Sequence, residues 1–254
     1  RLEDFALALT AHVAEPSETN LAQVELQADR ALRHTLVAAQ KPRMERVEMA
    51  RRLARWLMNA TPTASSLQTA VAWQSDQGAF VDWARFRLLG GDELPDLSQA
   101  YSACREAVIA RRNAFAKPFA QALVQWNAQK PAPEGRIIPM ESVLEHVLAP
   151  IAAAHPTLLL VMDGLSTSIF RELFARIASQ GWAEMVPSSL GQPLAGVAAL
   201  PTITEVSRAS LLCGRLTVGA SAQEKTGFAT NAALLAHSRA DAPPRLFHKG
   251  ALAD

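Results

Sequence analysis

A short apolar run, TLLLVM at residues 157–162, constrains the fold of this chain more than any other segment. It is bounded by Pro156 and Gly164, and such an uninterrupted run is typical of a strand buried on both faces of a parallel sheet. Asp163 follows the run directly, and open α/β sheets bind their ligands at the carboxyl ends of their strands. The run therefore predicts an α/β domain with an acidic residue at the functional edge of its sheet.

A second segment, LPTITEVSRASLLCG at residues 200–214, predicts a helix that begins near two threonines. The spacing of Thr202 and Glu205 fits a capping box, in which the threonine side chain caps the helix. Thr204 would then lie at the helix start, where free backbone N–H groups suit an anion such as phosphate. We expect Gly214 to end this helix in the C-terminal cap position, which glycine favours.

The composition fits a globular protein rather than a membrane protein or a strongly charged one. Of the 254 residues, 49% are hydrophobic and the net charge is +1, so no global field attracts nucleic acid. The two cysteines, Cys104 and Cys213, lie far apart, which is typical of a reduced, cytoplasmic protein. The longest apolar stretch, residues 147–162, is interrupted by prolines and a histidine, which argues against a membrane span. Because the chain begins at Arg1 rather than at a methionine, we expect it to be a piece of a longer protein.

The chain changes character at a proline-rich segment. Residues 1–128 carry apolar side chains at helical spacing, which predicts an all-α region, with a kink or break at Pro118. Residues 129–139 contain three prolines and a glycine, as a linker does. Residues 140–254 alternate strand and helix patterns, which predicts the first part of an α/β domain with a mainly parallel sheet.

The elements expected in this second region can be stated individually. We predict helices over residues 140–154, from Ser166 to about Gln180, and over 205–213. The predicted strands are residues 157–162, 182–186, 197–200 and 245–248, and we expect the first strand of the chain only near Thr157.

The motifs VMDGLS, LPTITEVSRASLLCGRLT, GF and LFHKG resemble the PglZ family of phage-defence proteins, in particular the version in type 2 BREX systems. The resemblance is specific over residues 140–250 and weaker at QGAFVDWAR, residues 77–85. PglZ belongs to the alkaline-phosphatase-like superfamily. The resemblance therefore implies that fold and a metal-dependent phosphoester hydrolase that works in the cytoplasm with other BREX proteins.

The resemblance also implies roles for single residues. Asp163 takes the role of a ligand to a divalent metal, of which the superfamily uses two, usually zinc. Thr204 takes the role of nucleophile and metal ligand. Ser207 takes a substrate-binding role, because it stands where phosphodiesterase relatives carry an asparagine that touches the phosphate. The remaining metal ligands are expected beyond Asp254.

The residues themselves add to this assignment. No histidine lies near Thr204 in the sequence, so activation of its hydroxyl by a metal is a better mechanism than activation by a base. Arg208 follows one helical turn later on the same face, where its planar guanidinium is a candidate for binding the phosphoester substrate.

Each feature also has a structural alternative. Asp163 and Gly164 form a common turn dipeptide, and Arg208 could pair with Glu205 or another acid. The run KPRMERVEMARRLAR at residues 41–55, with six positive and two negative side chains, suits either nucleic acid or a solvated, ion-paired face.

At the level of function, the alternatives are a non-catalytic scaffold for other defence proteins and a hydrolase of sulfuryl or other esters on the same fold. The substrate stays open among nucleic acids, nucleotides and phosphorylated partners.

Overall fold

The computed structural model describes residues 1–34, 40–60, 64–129 and 132–251, and it divides into two compact units. The first unit contains residues 1–125 and 166–176, and the second contains 126–165 and 177–254. The first is helical, whereas the second combines helices with a small parallel sheet. The expected order, an all-α region followed by mixed α and β elements, is confirmed, and the alkaline-phosphatase-like fold stays an expectation.

The first unit is built from helices whose apolar stripes face a common core. In chain order they are α1 (Leu2–Ala14), α2 (Glu18–Leu32), α3 (Lys41–Leu57), α4 (Leu67–Trp73), α5 (Ala79–Arg87) and α6 (Pro95–Ala128). A π-helical turn, Gln74–Gly78, joins α4 to α5, and a 3-10 turn, Leu88–Gly90, follows α5. Helix α6 continues past Pro118, so the break that the sequence suggested does not occur there.

The basic run at residues 41–55 forms α3, and most of its arginines pair with acids of the same unit. Arg51 lies 2.9 Å from Asp29, and Arg52 lies 2.9 Å from Glu48. Further ion pairs join Arg43 to Asp92 and Arg55 to Glu25. The structure therefore has the ion-paired arrangement that was one of the two alternatives for this run.

The second unit contains a parallel pair of short strands, β1 (Ile137–Pro139) and β2 (Ala195–Val197), with Ile137 opposite Ala195. Strand β1 lies inside the segment predicted as a linker, so the expectation that strands begin only near Thr157 is wrong. Ile137 and Ile138 are β-branched and only 2% and 3% exposed, so burial against the core favours the extended backbone there.

The helical elements after β1 follow the prediction more closely. A 3-10 turn (Met140–Ser142) and a π-helical turn (Leu144–Leu148) lead into α7 (Ala149–Ala154), which together cover the helix expected over residues 140–154. The later elements are α8 (Thr167–Ala178), α9 (Thr204–Cys213), α10 (Ser221–Ala229), α11 (Ala232–Leu235) and a 3-10 turn (Lys249–Ala251). Ser166 caps α8 as predicted, because its Oγ accepts a hydrogen bond from the Ile169 N–H at 3.3 Å. Residues 166–176 belong to the first unit, where Glu172 pairs with Arg87 at 3.3 Å.

The predicted strand over residues 157–162 is wrong as a strand buried on both faces. Leu159 and Val161 pack against the core of the second unit, whereas Leu158 and Leu160 are 87% and 68% exposed. In the described part of the chain this extended segment pairs with no other strand. Only one of its faces is therefore covered, and the backbone has no ladder to join.

The other three predicted strands also differ from the structure. Among the described residues, 182–186 and 245–248 join no sheet, and Trp182 and Met185 are 70% and 87% exposed. In place of the strand predicted over 197–200, the structure has β2, which begins two residues earlier and ends three residues earlier, at Ala195–Val197. Within the described residues, no helix is both long and apolar enough to span a membrane.

Candidate functional site

Asp163 lies in a tight turn that follows the extended segment of residues 157–162. The Leu165 N–H donates to the Met162 carbonyl oxygen at 3.3 Å, and Gly164 has φ +77°, the conformation that a type II turn requires at its third position. The Asp163 side chain is 47% exposed. Asp163 therefore lies in the turn that was its structural alternative, and its carboxylate is still accessible at the surface, as a functional role requires.

Thr204 is the first residue of α9, and the capping box predicted for this helix does not form. The N-cap is Ile203, in an extended conformation, and it makes no side-chain cap hydrogen bond. Because the Ile203 carbonyl already accepts the first helical bond, from Ser207 at 2.8 Å, the helix begins two residues after Thr202. The predicted C-terminus is confirmed, since Gly214 caps α9 in the left-handed conformation with φ +66°.

The structure brings Asp163, Thr204 and Arg208 together. The Thr204 hydroxyl donates to Asp163 Oδ2 at 3.2 Å, and Arg208 Nη1 donates to the same oxygen at 3.2 Å. Thr204 and Arg208 lie one turn apart on α9, so a single helix presents both groups to the turn that carries Asp163. We call these three residues the Asp163 corner.

Behind the Asp163 corner lies a buried carboxylate that sequence reasoning did not single out. Glu224 of α10 is fully buried, and it accepts hydrogen bonds from Arg208 Nε at 3.0 Å and Nη2 at 3.3 Å. His248 Nε2 lies 3.4 Å from the same carboxylate. The hydrogen bonds and charge of Glu224, with a smaller contribution from Asp163, raise the pKa of Arg208 above its usual range. Arg208 thus pairs with Glu224 and Asp163 rather than with Glu205.

Ser207 is not brought into this group in the described structure. Its side chain is half-buried on α9, and no hydrogen bond joins its hydroxyl to Asp163, Thr204 or Arg208 within the described residues. Its backbone N–H is taken up by the Ile203 carbonyl. The proposed substrate-binding role of Ser207 therefore gains no geometric support.

The Asp163 corner contains oxygen donors, which is the first requirement of a site for a divalent cation. Its carboxylate and hydroxyl oxygens are neighbouring hard donors of the kind that divalent cations bind. However, Arg208 Nη1 already contacts Oδ2, so a cation on that oxygen would meet a like charge. Among the described residues, no group of three or more His, Cys, Asp or Glu side chains is arranged to hold a metal ion.

An apolar cavity of about 670 Å³ opens beside the Asp163 corner. Asp163 and Arg208 form its polar end, and its apolar walls include Leu159, Val161, Leu212 and Phe228. The cavity therefore places apolar surface next to the charged groups of the corner.

Comparison of the chain with protein-family models gave no match, and neither the curated proteins nor the solved structures contained a match to it. The motifs of the sequence and the geometry of the Asp163 corner are therefore the features that bear on function.

Proposed function

We propose that the protein is a PglZ-type enzyme of phage defence, a metal-dependent phosphoester hydrolase with Thr204 as its nucleophile. The observation that carries the proposal is the contact of Thr204 Oγ1 with Asp163 Oδ2 at 3.2 Å, beside the guanidinium of Arg208. Two residues that are 41 positions apart in the sequence, and that the family resemblance pairs by function, are neighbours in space. Other BREX proteins are its proposed partners.

The chain's own residues supply orientation and charge for this reaction. Asp163 accepts a hydrogen bond from the Thr204 hydroxyl. With its proton directed at Asp163, the threonine oxygen keeps its lone pairs free for a substrate. The N-terminus of α9 and the Arg208 guanidinium favour a phosphoryl group in front of that oxygen. The threonine oxygen would bond to phosphorus as the bond to the leaving oxygen breaks, and the hydroxyl proton would pass through solvent to that leaving oxygen. Water would then hydrolyse the phosphothreonine, releasing phosphate and restoring the hydroxyl.

The proposed cofactor is a divalent metal, zinc by resemblance, with two ions in the complete site. Asp163 and Thr204 are the residues that would hold one of them. When bound, the metal would supply Lewis acidity, which favours the threonine alkoxide and polarises a phosphoryl oxygen.

Two substitutions test the nucleophile and the ligand. Thr204→Ala and Asp163→Asn should each lower the rate of phosphoester hydrolysis by the natural protein at least about a hundredfold, since losing even one electrostatic donor costs about 2.7 kcal/mol. Thr202→Ala is the matched control, because Thr202 is exposed and does not cap α9. Equal losses of activity in all three variants, in step with lost thermal stability, would contradict the proposal.

The alternative is a non-catalytic scaffold, and one observation favours it. Arg208 is paired on two sides, by Glu224 and by Asp163, as in an ion network that only stabilises a fold. Phage protection separates the two functions. A Thr204→Ala variant that protects cells as well as the natural protein would establish the scaffold.

A further inference from the structure

We propose that Glu224 is a positioning residue that aims Arg208 at the place where the substrate oxyanion binds. The inference rests on the proposed function, because it assigns the substrate's phosphoryl oxygens to the Asp163 corner. It assigns Glu224 a role in substrate binding that its sequence position does not reveal.

The guanidinium of Arg208 has two edges, and the structure gives each edge a different partner. The edge formed by Nε and Nη2 meets the two oxygens of Glu224 at 3.0 and 3.3 Å. The third nitrogen, Nη1, is left to face Asp163 Oδ2 at 3.2 Å, next to the Thr204 hydroxyl. One edge is therefore an anchor, and the other is presented to the exposed corner.

The anchor is rigid because it is buried. The Glu224 side chain is 0% exposed, whereas Asp163 is 47% exposed. A buried carboxylate is stable only when it is paired and hydrogen-bonded, so Glu224 and Arg208 hold one another in a single geometry. An arginine without such a partner would sample many rotamers and would lose that freedom on binding a substrate.

His248 lies beside the Glu224 carboxylate on another side. Its Nε2 lies 3.4 Å from Glu224 Oε2 and 3.3 Å from the Ser221 carbonyl oxygen. The sequence segment LFHKG, which carries part of the family resemblance, thereby reaches the Asp163 corner through Glu224 rather than directly.

The ligand class follows from the groups that are presented. A guanidinium nitrogen and a hydroxyl, side by side at a helix N-terminus, suit a tetrahedral oxyanion with at least two free oxygens, such as a phosphoryl group. Lysine could not replace Arg208, because its single ammonium has no second edge to anchor.

The experiment follows the Arg208 side chain directly by NMR, using the ¹⁵N–¹H signal of its Nε and inorganic phosphate as the probe. Arg208→Lys identifies the signal by its disappearance. Glu224→Gln removes the charge of the anchor at constant shape. Glu205→Gln is the matched control, because it removes one charge from an exposed side chain of the same site region that does not pair with Arg208.

We expect the wild-type Nε signal to be resolved and to shift on addition of phosphate. In Glu224→Gln it should move into the range of exposed arginines, and the dissociation constant for phosphate should rise about tenfold. Glu205→Gln should leave both within about twofold. A Glu224→Gln variant with the wild-type signal and affinity would overturn the proposal.

Two further outcomes are distinguishable. If Glu224→Gln does not fold, Glu224→Asp takes its place, since it keeps the charge on a shorter stem that cannot reach both nitrogens. Wild-type behaviour of that variant would equally overturn the proposal. If the Arg208 signal depends on Glu224 but phosphate moves nothing in the wild type, the anchor is supported, and it is the proposed function that fails.

Discussion

An isoleucine at the N-cap leaves the first turn of α9 without a side-chain hydrogen bond. Ile203 has φ −95° and ψ 156°, the extended conformation of a good N-cap, and its side chain is 52% exposed. Ile203→Ser should therefore add a cap and raise the free energy of unfolding by about 1 kcal/mol. Thr202→Ala should change it by no more than about 0.5 kcal/mol.

Urea unfolding followed by circular dichroism measures both variants. A loss of about 1 kcal/mol in Thr202→Ala, with no gain in Ile203→Ser, would instead support the capping box that the sequence predicted.

The residues of the Asp163 corner were predictable to different degrees. Asp163 and Thr204 could be selected from the sequence because each stands beside a local signal, a turn dipeptide and a helix start. Glu224 could not, because its importance comes from burial and from a partner that is 16 positions away on another helix. The sequence could have predicted only that Glu224 lies in the first turn of α10, and this position favours any acidic residue.

Glycine at the end of α9 fixes the approach of the next helices. Gly214 and Gly164 both have positive φ, at +66° and +77°. A Cβ on Gly214 would lie 2.4 Å from Asn231 Nδ2, whereas a Cβ on Gly164 would have no described atom within 4 Å apart from those of its chain neighbours. Asn231 caps α11. Gly164→Ala should cost about 1–2 kcal/mol for the left-handed backbone alone, and Gly214→Ala should cost clearly more.

Thermal unfolding of the two alanine variants gives the comparison, in which Gly164→Ala serves as the control for backbone strain. Equal losses of stability in the two variants would mean that the Asn231 side chain moves aside without a measurable energetic cost.

The helices could be predicted from the sequence because their signal is local, whereas the sheet could not. The apolar stripe of α6 repeats within a few residues, and the helix forms even through Pro118. The run at residues 157–162 has the composition of a buried strand, but a strand needs a partner, and pairing depends on residues far away in the chain. The parallel pair instead forms at Ile137–Pro139 and Ala195–Val197, where three-residue strands carry little pattern.

The pH dependence of the molecule's stability should reflect a buried ion pair of the first unit. The Asp92 side chain is fully buried, and Arg43 Nε donates to its Oδ2 at 2.7 Å. Burial alone would raise the pKa of Asp92, but the hydrogen bonds from Arg43 and from the Leu94 N–H outweigh it and hold the pKa below its usual 3.8. The carboxylate therefore stabilises the fold above its usual pKa, and this contribution is lost as the pH falls through the lowered one.

Acid titrations of stability measure this contribution. Below about pH 4, the free energy of unfolding of the wild type should fall more steeply than that of Asp92→Asn, by at most about 1.4 kcal/mol per pH unit for one proton. Parallel acid limbs in the two proteins would show that Asp92 binds its proton equally in the folded and unfolded states.

Metal affinity is a property of the whole ligand set, and the 254-residue chain should bind a catalytic metal only weakly. The Asp163 corner offers one carboxylate and one hydroxyl, whereas zinc takes four ligands and harder cations take more. Arg208 adds a positive charge 3.2 Å from the carboxylate oxygen that a metal would share. Calorimetric titration with zinc and with manganese tests this, with Asp163→Ala as the site variant and Asp241→Ala, which removes an exposed carboxylate paired with Arg239, as the control. Sub-micromolar binding that disappears in Asp163→Ala but persists in Asp241→Ala would show that the corner is already a complete metal site.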